Sequence, residues 1–213
     1  MTAMRRGPLL IALLLGLSAC GGAPPGVASA SDLRARSWQE QITESDRKRL
    51  AGLWSAWTRA LNQASDAGGA TALAAAGPMA VADAATAGKP PLPGDYRCRT
   101  LKLGVRSDAP ATAPALAMAD PVPCRISARG SLLWFEQLGG PQRVGGTLYP
   151  DDDRLVFLGS KSLAGEMRVM AYASDAARDQ VGVLRALGPG RWRLELPWPN
   201  WQSNLEVIEI TAG

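Results

Sequence analysis

The stretch Arg191-Trp192-Arg193-Leu194-Glu195-Leu196 decides how the C-terminal part of this 213-residue chain folds. Charged and apolar residues alternate along it, with a period of two that is typical of a β-strand. Gly188-Pro189-Gly190, directly before it, has the composition of a tight turn. The stretch therefore predicts a half-buried antiparallel strand, with its Trp and Leu side chains turned inward and its Arg and Glu side chains turned outward.

Short runs of the same kind occupy the chain from Gly94 to its end, rich in β-branched, aromatic and leucine residues and divided by Gly, Pro and Asp. Eight or nine such strands in succession predict an antiparallel meander that closes into a small barrel or forms a coiled sheet. An Ala/Pro-rich insertion, Ser107 to Pro121, is predicted to be a mobile loop. The predicted strands are residues 95–103, 122–128, 132–138, 144–149, 155–159, 167–172, 180–187, 191–196 and 205–211.

The preceding part of the chain has a helical pattern. Thr43 is a suitable N-cap for a helix from Glu44 to Ser65, and a second, weaker helix is predicted over Ala70 to Ala76. We therefore expect an α+β protein in which a helical segment, residues 38–93, packs on a β domain, residues 94–213. An apolar stripe on the first helix could face a partner, but helical spacing of Leu and Trp favours core packing. The stripe consists of Leu50, Leu53, Trp54, Trp57 and Leu61.

The N-terminal residues resemble the export signal of bacterial lipoproteins. Leu17-Ser18-Ala19-Cys20 ends a short apolar run behind Arg5 and Arg6, and a signal of this type is cut before the cysteine, which is then lipidated. Residues 1–19 are therefore predicted to be a lipoprotein signal peptide, and residues 20–37 a lipidated flexible tether. The alternatives are a membrane-spanning anchor, for which the run is too short, and an ordinary secretory signal cleaved after Ala30.

Gly21 follows the cysteine where lipoproteins of the inner membrane usually have Asp. The resemblance therefore implies a lipid anchor in the outer membrane, on its periplasmic face. The formal charge of +4 includes the two arginines of the signal, so the remaining chain is nearly neutral. It has no basic block and no aromatic-basic pattern, which argues against nucleic acid as a partner.

Cysteine usage agrees with export. If Cys20 carries lipid, Cys98 and Cys124 remain as a pair, and in an oxidising periplasm we expect them to form a disulfide. Two free buried thiols are the alternative. Without any histidine, these two cysteines are a poor zinc site, and neither has a base that would make it a nucleophile.

Several motifs between Trp38 and Ile210 together resemble a known family. They are Pro-Leu-Pro-Gly-Asp-Tyr-Arg-Cys-Arg with its Leu-Lys-Leu-Gly tail, Pro-Cys-Arg-Ile, Gly-Thr-Leu-Tyr-Pro-Asp-Asp-Asp-Arg, Val-Phe-Leu-Gly-Ser and Arg-Trp-Arg-Leu-Glu-Leu-Pro-Trp-Pro. They are similar to an uncharacterised domain-of-unknown-function family, DUF4893, of exported and lipidated proteins in Gram-negative bacteria. The resemblance implies export but no activity.

The composition excludes several kinds of catalysis. The chain has no histidine, which excludes Ser-His-Asp and Cys-His systems and histidine metal sites. Asp151, Asp152 and Asp153 form the densest acidic cluster, and could hold Ca²⁺ or act as an acid–base pair. Their position after Tyr149-Pro150 instead favours a hairpin turn. We assign no catalytic residue, no metal ligand and no cofactor.

Two surfaces are candidate binding sites. Trp198 and Trp201 lie in a Pro-rich turn before the last predicted strand and could grip a sugar or a peptide, although packing on the helix is favoured. Arg97, Arg99 and Arg125 bracket the proposed disulfide and could present a basic stripe to an anionic ligand. Strand alternation places Arg97 and Arg99 opposite Cys98 on a solvated face, which requires no ligand.

The leading functional hypothesis is a noncatalytic binding or envelope-associated module that binds an envelope protein or glycan. The second is a barrel that carries a small apolar ligand, and the third is a carboxylate-based hydrolase that uses Asp151 to Asp153. A hollow barrel would favour the carrier, and a filled interior the binding module. Two converging carboxylates in a cleft would favour the hydrolase.

Overall fold

The structure is a computed structural model that describes residues 37–213. The predicted signal peptide, the lipidated Cys20 and, apart from Ser37, the predicted tether lie outside the described residues. The described part contains four α-helices: α1 (Trp38–Gln41), α2 (Glu44–Ala51), α3 (Leu53–Asp66) and α4 (Ala70–Ala76). A 3₁₀ turn, Gly77–Ala80, follows. None of these helices is long and apolar enough to cross a membrane.

Nine strands follow within the described part, and all neighbouring strands are antiparallel. Eight of them form a meander that closes on itself, because the first strand pairs with the last along their length. The predicted α+β class and antiparallel barrel are therefore confirmed. The strands are β1 (Gly94–Leu103), β2 (Leu116–Met118), β3 (Val122–Arg129), β4 (Leu132–Gln137), β5 (Gln142–Asp151), β6 (Arg154–Leu163), β7 (Asp179–Gly188), β8 (Arg191–Pro197) and β9 (Leu205–Ala212).

The ninth strand, β2, lies outside the closed ring. β3 pairs with β1 only along Gly94–Cys98, and β2 pairs with the remaining part of the same edge, at Leu101–Leu103. The prediction of a mobile loop over Ser107 to Pro121 was wrong for the three residues of β2, Leu116–Met118. Unpaired backbone groups along that edge of β1 would be costly beside the helices, and β2 supplies their partners.

Buried side chains fill the interior of the barrel. Every strand of the ring contributes to one apolar cluster, in which the rings of Phe135 and Phe157 meet edge to face with centroids 6.3 Å apart. Gly146 and Gly159 are direct partners on β5 and β6 and leave room for the Phe157 ring. The cluster also holds the Cys98–Cys124 disulfide, which confirms the predicted pairing.

One end of the interior is polar. Lys161 Nζ donates to both carboxylate oxygens of Glu206 at 2.7 Å, and Lys102 Nζ lies 3.5 Å from the same carboxylate. Burial alone would raise the pKa of Glu206, but the two ammonium groups hold it below its usual range. Burial in turn lowers the pKa of Lys161, against the effect of Glu206. This ion pair occupies space that a carried ligand would need.

The helices cover part of the outer barrel wall. In α3, small side chains at helical spacing bring the helix close to β1, β8 and β9, and Trp57 fills the remaining space. Arg193 and Glu195 on β8 point outward as predicted, but α3 and the segment after α4 cover them, leaving 0% and 1% exposed. The prediction of a half-buried β8 was therefore wrong, because the helices bury its outer face too. The buried residues of α3 are Leu53, Ala56, Trp57, Ala60 and Ala64.

Two further predictions need correction. The helix predicted from Glu44 to Ser65 is interrupted at Gly52, where the indole of Trp198 packs against the backbone. A Cβ at position 52 would lie 2.8 Å from Trp198 Nε1. The strand predicted over residues 167–172 does not form, because β6 and β7 pair directly with each other and leave no free edge for it.

Candidate functional site

A cleft of about 650 Å³ lies between α1–α3 and the outer wall of the barrel. We call it the helix–barrel cleft. Three tryptophans line it, and their exposure differs: Trp57 is buried, Trp38 is partly buried and Trp54 is 66% exposed. The apolar stripe was predicted to be core, which is wrong for Trp54. The other cleft residues are Arg47, Leu50, Ala51, Leu53, Ala82, Asp83, Ala85, Arg154, Arg185 and Glu195.

A buried polar cluster fixes the floor of this cleft. Trp57 Nε1 donates to Glu195 Oε2 at 2.8 Å, and the guanidinium of Arg193 lies 4.7 Å from the centroid of the Trp57 ring. Arg193 also donates to the backbone oxygens of Pro78, Val81 and Ala82. Burial lowers the pKa of Arg193, against the effect of Glu195. The cluster thus holds α3, the segment after α4 and β8 in one arrangement.

The side wall of the cleft depends on the β5–β6 turn. Trp38 Nε1 donates to Asp151 Oδ1 at 2.9 Å, and Arg154 Nε donates to Asp151 Oδ2 at 2.8 Å. The Asp151 carboxylate therefore orients both Trp38 and Arg154, which line the cleft. Arg154 precedes Leu155, which pairs with Leu184 on β7. Arg185 follows Leu184 on the antiparallel strand and therefore lies beside Arg154 at the same edge.

The acidic cluster forms the predicted hairpin turn. Asp151 pairs with Arg154 across β5 and β6, and Asp152 and Asp153 form the turn between them. Asp152 has φ of 51°, a left-handed conformation that Asp tolerates better than most residues. Among the described residues, no three His, Cys, Asp or Glu side chains converge in a way that could hold a metal ion.

A second buried carboxylate positions α2. Tyr172 OH donates to Asp46 Oδ2 at 2.6 Å, and Arg49 Nε donates to Asp46 Oδ1 at 2.7 Å. Arg49 also reaches the backbone oxygen of Asp179 on β7. Burial, assisted by the hydrogen bond to Asp46, raises the pKa of Tyr172 to about 12. Asp46 thus ties α2, which carries Arg47 of the cleft, to the barrel.

Both tryptophans of the predicted aromatic turn, Trp198 and Trp201, form contacts within the fold. Trp198 packs against the helical core and donates from Nε1 to the backbone oxygen of Gly52 at 3.1 Å. Trp201 is partly buried at the polar end of the barrel, where its ring centroid lies 5.8 Å from Lys161 Nζ. Its own Nε1 donates to the backbone oxygen of Ala177 at 3.0 Å. Neither tryptophan lines the helix–barrel cleft.

The predicted arginine pair is also separate from the cleft. Arg97 and Arg99 lie on the outer face of β1, opposite the buried Cys98. Arg97 is exposed, whereas Arg99 donates to the buried carboxylate of Glu209 at 3.0 Å. Sequence reasoning missed the cleft itself, because its walls come from four distant segments. Gly52, which interrupts the helical stripe two residues before Trp54, is a sequence signal that could have pointed to it.

The fold and the cleft define a class of protein: a closed antiparallel barrel, filled inside, with a helical cover that leaves a cleft against its outer wall. Residues 38–210 match the model of the family described as Domain of unknown function (DUF4893), and the chain belongs to that family. No match was found among curated proteins or among solved structures.

Proposed function

We propose that this protein is a noncatalytic lipoprotein on the periplasmic face of the outer membrane, whose helix–barrel cleft binds an envelope glycan. The cellular location rests on the Leu17-Ser18-Ala19-Cys20 sequence and on Gly21. The buried Cys98–Cys124 disulfide supports an oxidising compartment, because disulfides are rare in cytosolic proteins.

The observation that carries the proposal is the exposure of Trp54. A Trp side chain that is 66% exposed leaves a large apolar face in water, at a position where the same helix buries alanines. It faces a cleft that already contains Trp38 and Trp57. Rigid aromatic faces give contact area at little cost in conformational entropy, which suits stacking on sugar rings.

The size of the cleft favours a small or segmental ligand over a protein. Its volume of about 650 Å³ falls within the range of small-molecule sites. A stable protein interface needs roughly 800 Å² from each partner, usually on a flatter surface. Arg47, Arg154 and Arg185 at the edge of the cleft supply donors for the hydroxyl and carboxylate groups of a glycan.

The other two functions receive less support. A carrier needs interior space, whereas apolar side chains and the Lys161–Glu206 pair occupy the inside of this barrel. A carboxylate-based hydrolase needs free carboxylates that converge in a cleft. Both oxygens of Glu195 already accept hydrogen bonds, from Trp57 and Arg193, and Asp151 is held by Trp38 and Arg154. Asp152 and Asp153 are exposed in the hairpin turn and do not line the helix–barrel cleft.

A titration of the purified full chain with soluble N-acetylhexosamine oligosaccharides from cell-wall glycan tests the proposal. By calorimetry, we expect binding that Trp54→Ala weakens at least about tenfold, a loss of about 1.4 kcal/mol. Leu92→Ala, which removes another exposed apolar side chain outside the cleft, is the matched control. Absence of binding to the unaltered chain, or equal affinity in the Trp54 variant, would contradict glycan binding at this cleft.

A further inference from the structure

A second cavity lies on another part of the outer barrel wall, over β4, β5 and β6, and the loop after β6 covers one side of it. Its volume is about 560 Å³. We call it the β4–β6 groove. The residues that decide its chemistry are Arg129, Trp134, Glu136, Arg143, Met167 and Arg168.

The groove has an excess of positive charge. Arg129, Arg143 and Arg168 line it together with one carboxylate, Glu136. Within residues 37–213, none of these three arginines has a carboxylate oxygen within 4.0 Å. Arg143 is held by the backbone oxygen of Glu166, whose carboxylate forms its ion pair with Arg178 and also feels the charge of Arg143.

The floor of the groove offers an unused donor. Trp134 Nε1 is buried, and no acceptor among the described residues forms a hydrogen bond with it. The guanidinium of Arg129 lies over the same ring, 3.6 Å from its centroid. A buried N–H group without a partner is destabilising, so an acceptor from a ligand would recover stability here.

Exposed apolar side chains surround this basic groove. Met167 is 94% exposed and Leu138 is 41% exposed, and both line it. Met170, on the same loop as Met167, is 37% exposed. Basic side chains beside protruding apolar ones are the combination that binds the interface of an anionic membrane, where arginines meet phosphates and apolar side chains enter the acyl boundary.

We propose that the β4–β6 groove binds the phosphate group of an anionic lipid, with Arg129, Arg143 and Arg168 on the phosphate and Met167 beside the acyl chains. This site is separate from the helix–barrel cleft and does not depend on glycan binding. Arginine suits phosphate because its planar group donates two parallel hydrogen bonds. The apolar side chains distinguish a lipid headgroup from free phosphate, which would gain nothing from them.

The test follows the oxidation of Met167 by peroxide, measured by mass spectrometry on the purified full chain in a nonionic detergent. Three probes are added separately: short-chain phosphatidylglycerol, short-chain phosphatidylcholine and inorganic phosphate. We expect phosphatidylglycerol to slow oxidation of Met167 several-fold. Met118, which is 38% exposed outside the groove, is the internal control and should be oxidised at an unchanged rate.

Two variants locate the effect. The double variant Arg129→Gln/Arg168→Gln should lose the protection of Met167. Arg97→Gln removes an exposed arginine from another part of the barrel wall and should keep the protection. Equal protection by phosphatidylcholine or by inorganic phosphate, protection of Met118 as well, or no protection at all would each overturn the proposal. Glycan binding at Trp54 would be unaffected by any of these outcomes.

Discussion

Arg193 and Glu195, two residues apart on β8, form an ion pair 3.0 Å long beneath the helical cover, and neither side chain is exposed. Both point away from the barrel interior, toward Trp57 of α3. The ion pair therefore joins the helical cover to the barrel instead of stabilising either of them alone. Buried ion pairs are costly to break one partner at a time, because the remaining charge stays without compensation.

Removing Glu195 should therefore be severe. Glu195→Ala leaves Arg193 without its carboxylate and Trp57 Nε1 without its acceptor. We expect the free energy of unfolding to fall by about 3–5 kcal/mol, measured by urea unfolding. Asp95→Asn, which removes the partner of Arg125 in an exposed pair, is the control and should leave the midpoint nearly unchanged. A loss no greater than in that control would show that the buried pair contributes little.

The disulfide should account for a further part of the stability. Cys98 and Cys124 are separated by 26 residues, and closing a loop of that length stabilises by about 3.5 kcal/mol on the chain-entropy estimate. The double variant Cys98→Ala/Cys124→Ala should unfold at a correspondingly lower urea concentration. Reductant should lower the midpoint of the unaltered chain and leave that of the double variant where it is. An equal response of the two proteins to reductant would contradict this expectation.

Tyr172 should make stability depend on pH in the alkaline range. Its pKa is about 12 in the folded chain, against an ordinary value of 10.0. Because the folded-state pKa is the higher one, the contribution of the neutral phenol is complete below pH 10 and is lost as the pH rises toward 12. Urea unfolding at successive pH values should show this loss, and Tyr172→Phe should reduce it without abolishing it, because burial also raises the pKa of Tyr96 and of Tyr149. Tyr149→Phe, for comparison, should keep the part that Tyr172 contributes, and an unchanged pH profile in the Tyr172 variant would rule out this origin.

The glycine pair inside the barrel should not accept even one methyl group. A Cβ on Gly146 would lie 2.8 Å from Phe157 Cε2 and closer still to the backbone of Gly159. Gly146→Ala should therefore cost about 1–3 kcal/mol through overpacking, measured by thermal or urea unfolding. At Gly94 the nearest atom would be Tyr96 Cε2 at 3.7 Å, so Gly94→Ala is the matched control. Equal stability of the two variants would show that the interior can adjust.

Local pattern was enough to predict most of the barrel. Eight of the nine predicted strands formed, because alternation and turn residues are local signals that each strand carries itself. The run over residues 167–172 has the right composition but no edge to pair with, which only the closed topology reveals. Conversely, β2 has a weak pattern of its own and forms because β1 offers it an edge.

The candidate sites were harder to predict for the same reason. Asp151 was predicted correctly as part of a turn, yet its contact with Trp38 joins residues 113 positions apart. Trp54 lies beside the buried face of α3, which includes Leu53 and Trp57, and the interruption at Gly52 contacts Trp198, 146 positions further along the chain. Spacing along the sequence shows none of these relationships.

The pairing of β1 with β9 sets the order in which the chain can fold. The first strand of the ring has no closing partner until residues 205–212, almost the last of the chain, are available. Contacts of such long sequence separation form slowly, so completion of the barrel is expected to be a late step in folding. A chain truncated before β9 would expose the edges of both β1 and β8, which are templates for pairing between molecules. The eight residues of β9 therefore protect both neighbouring edges from aggregation.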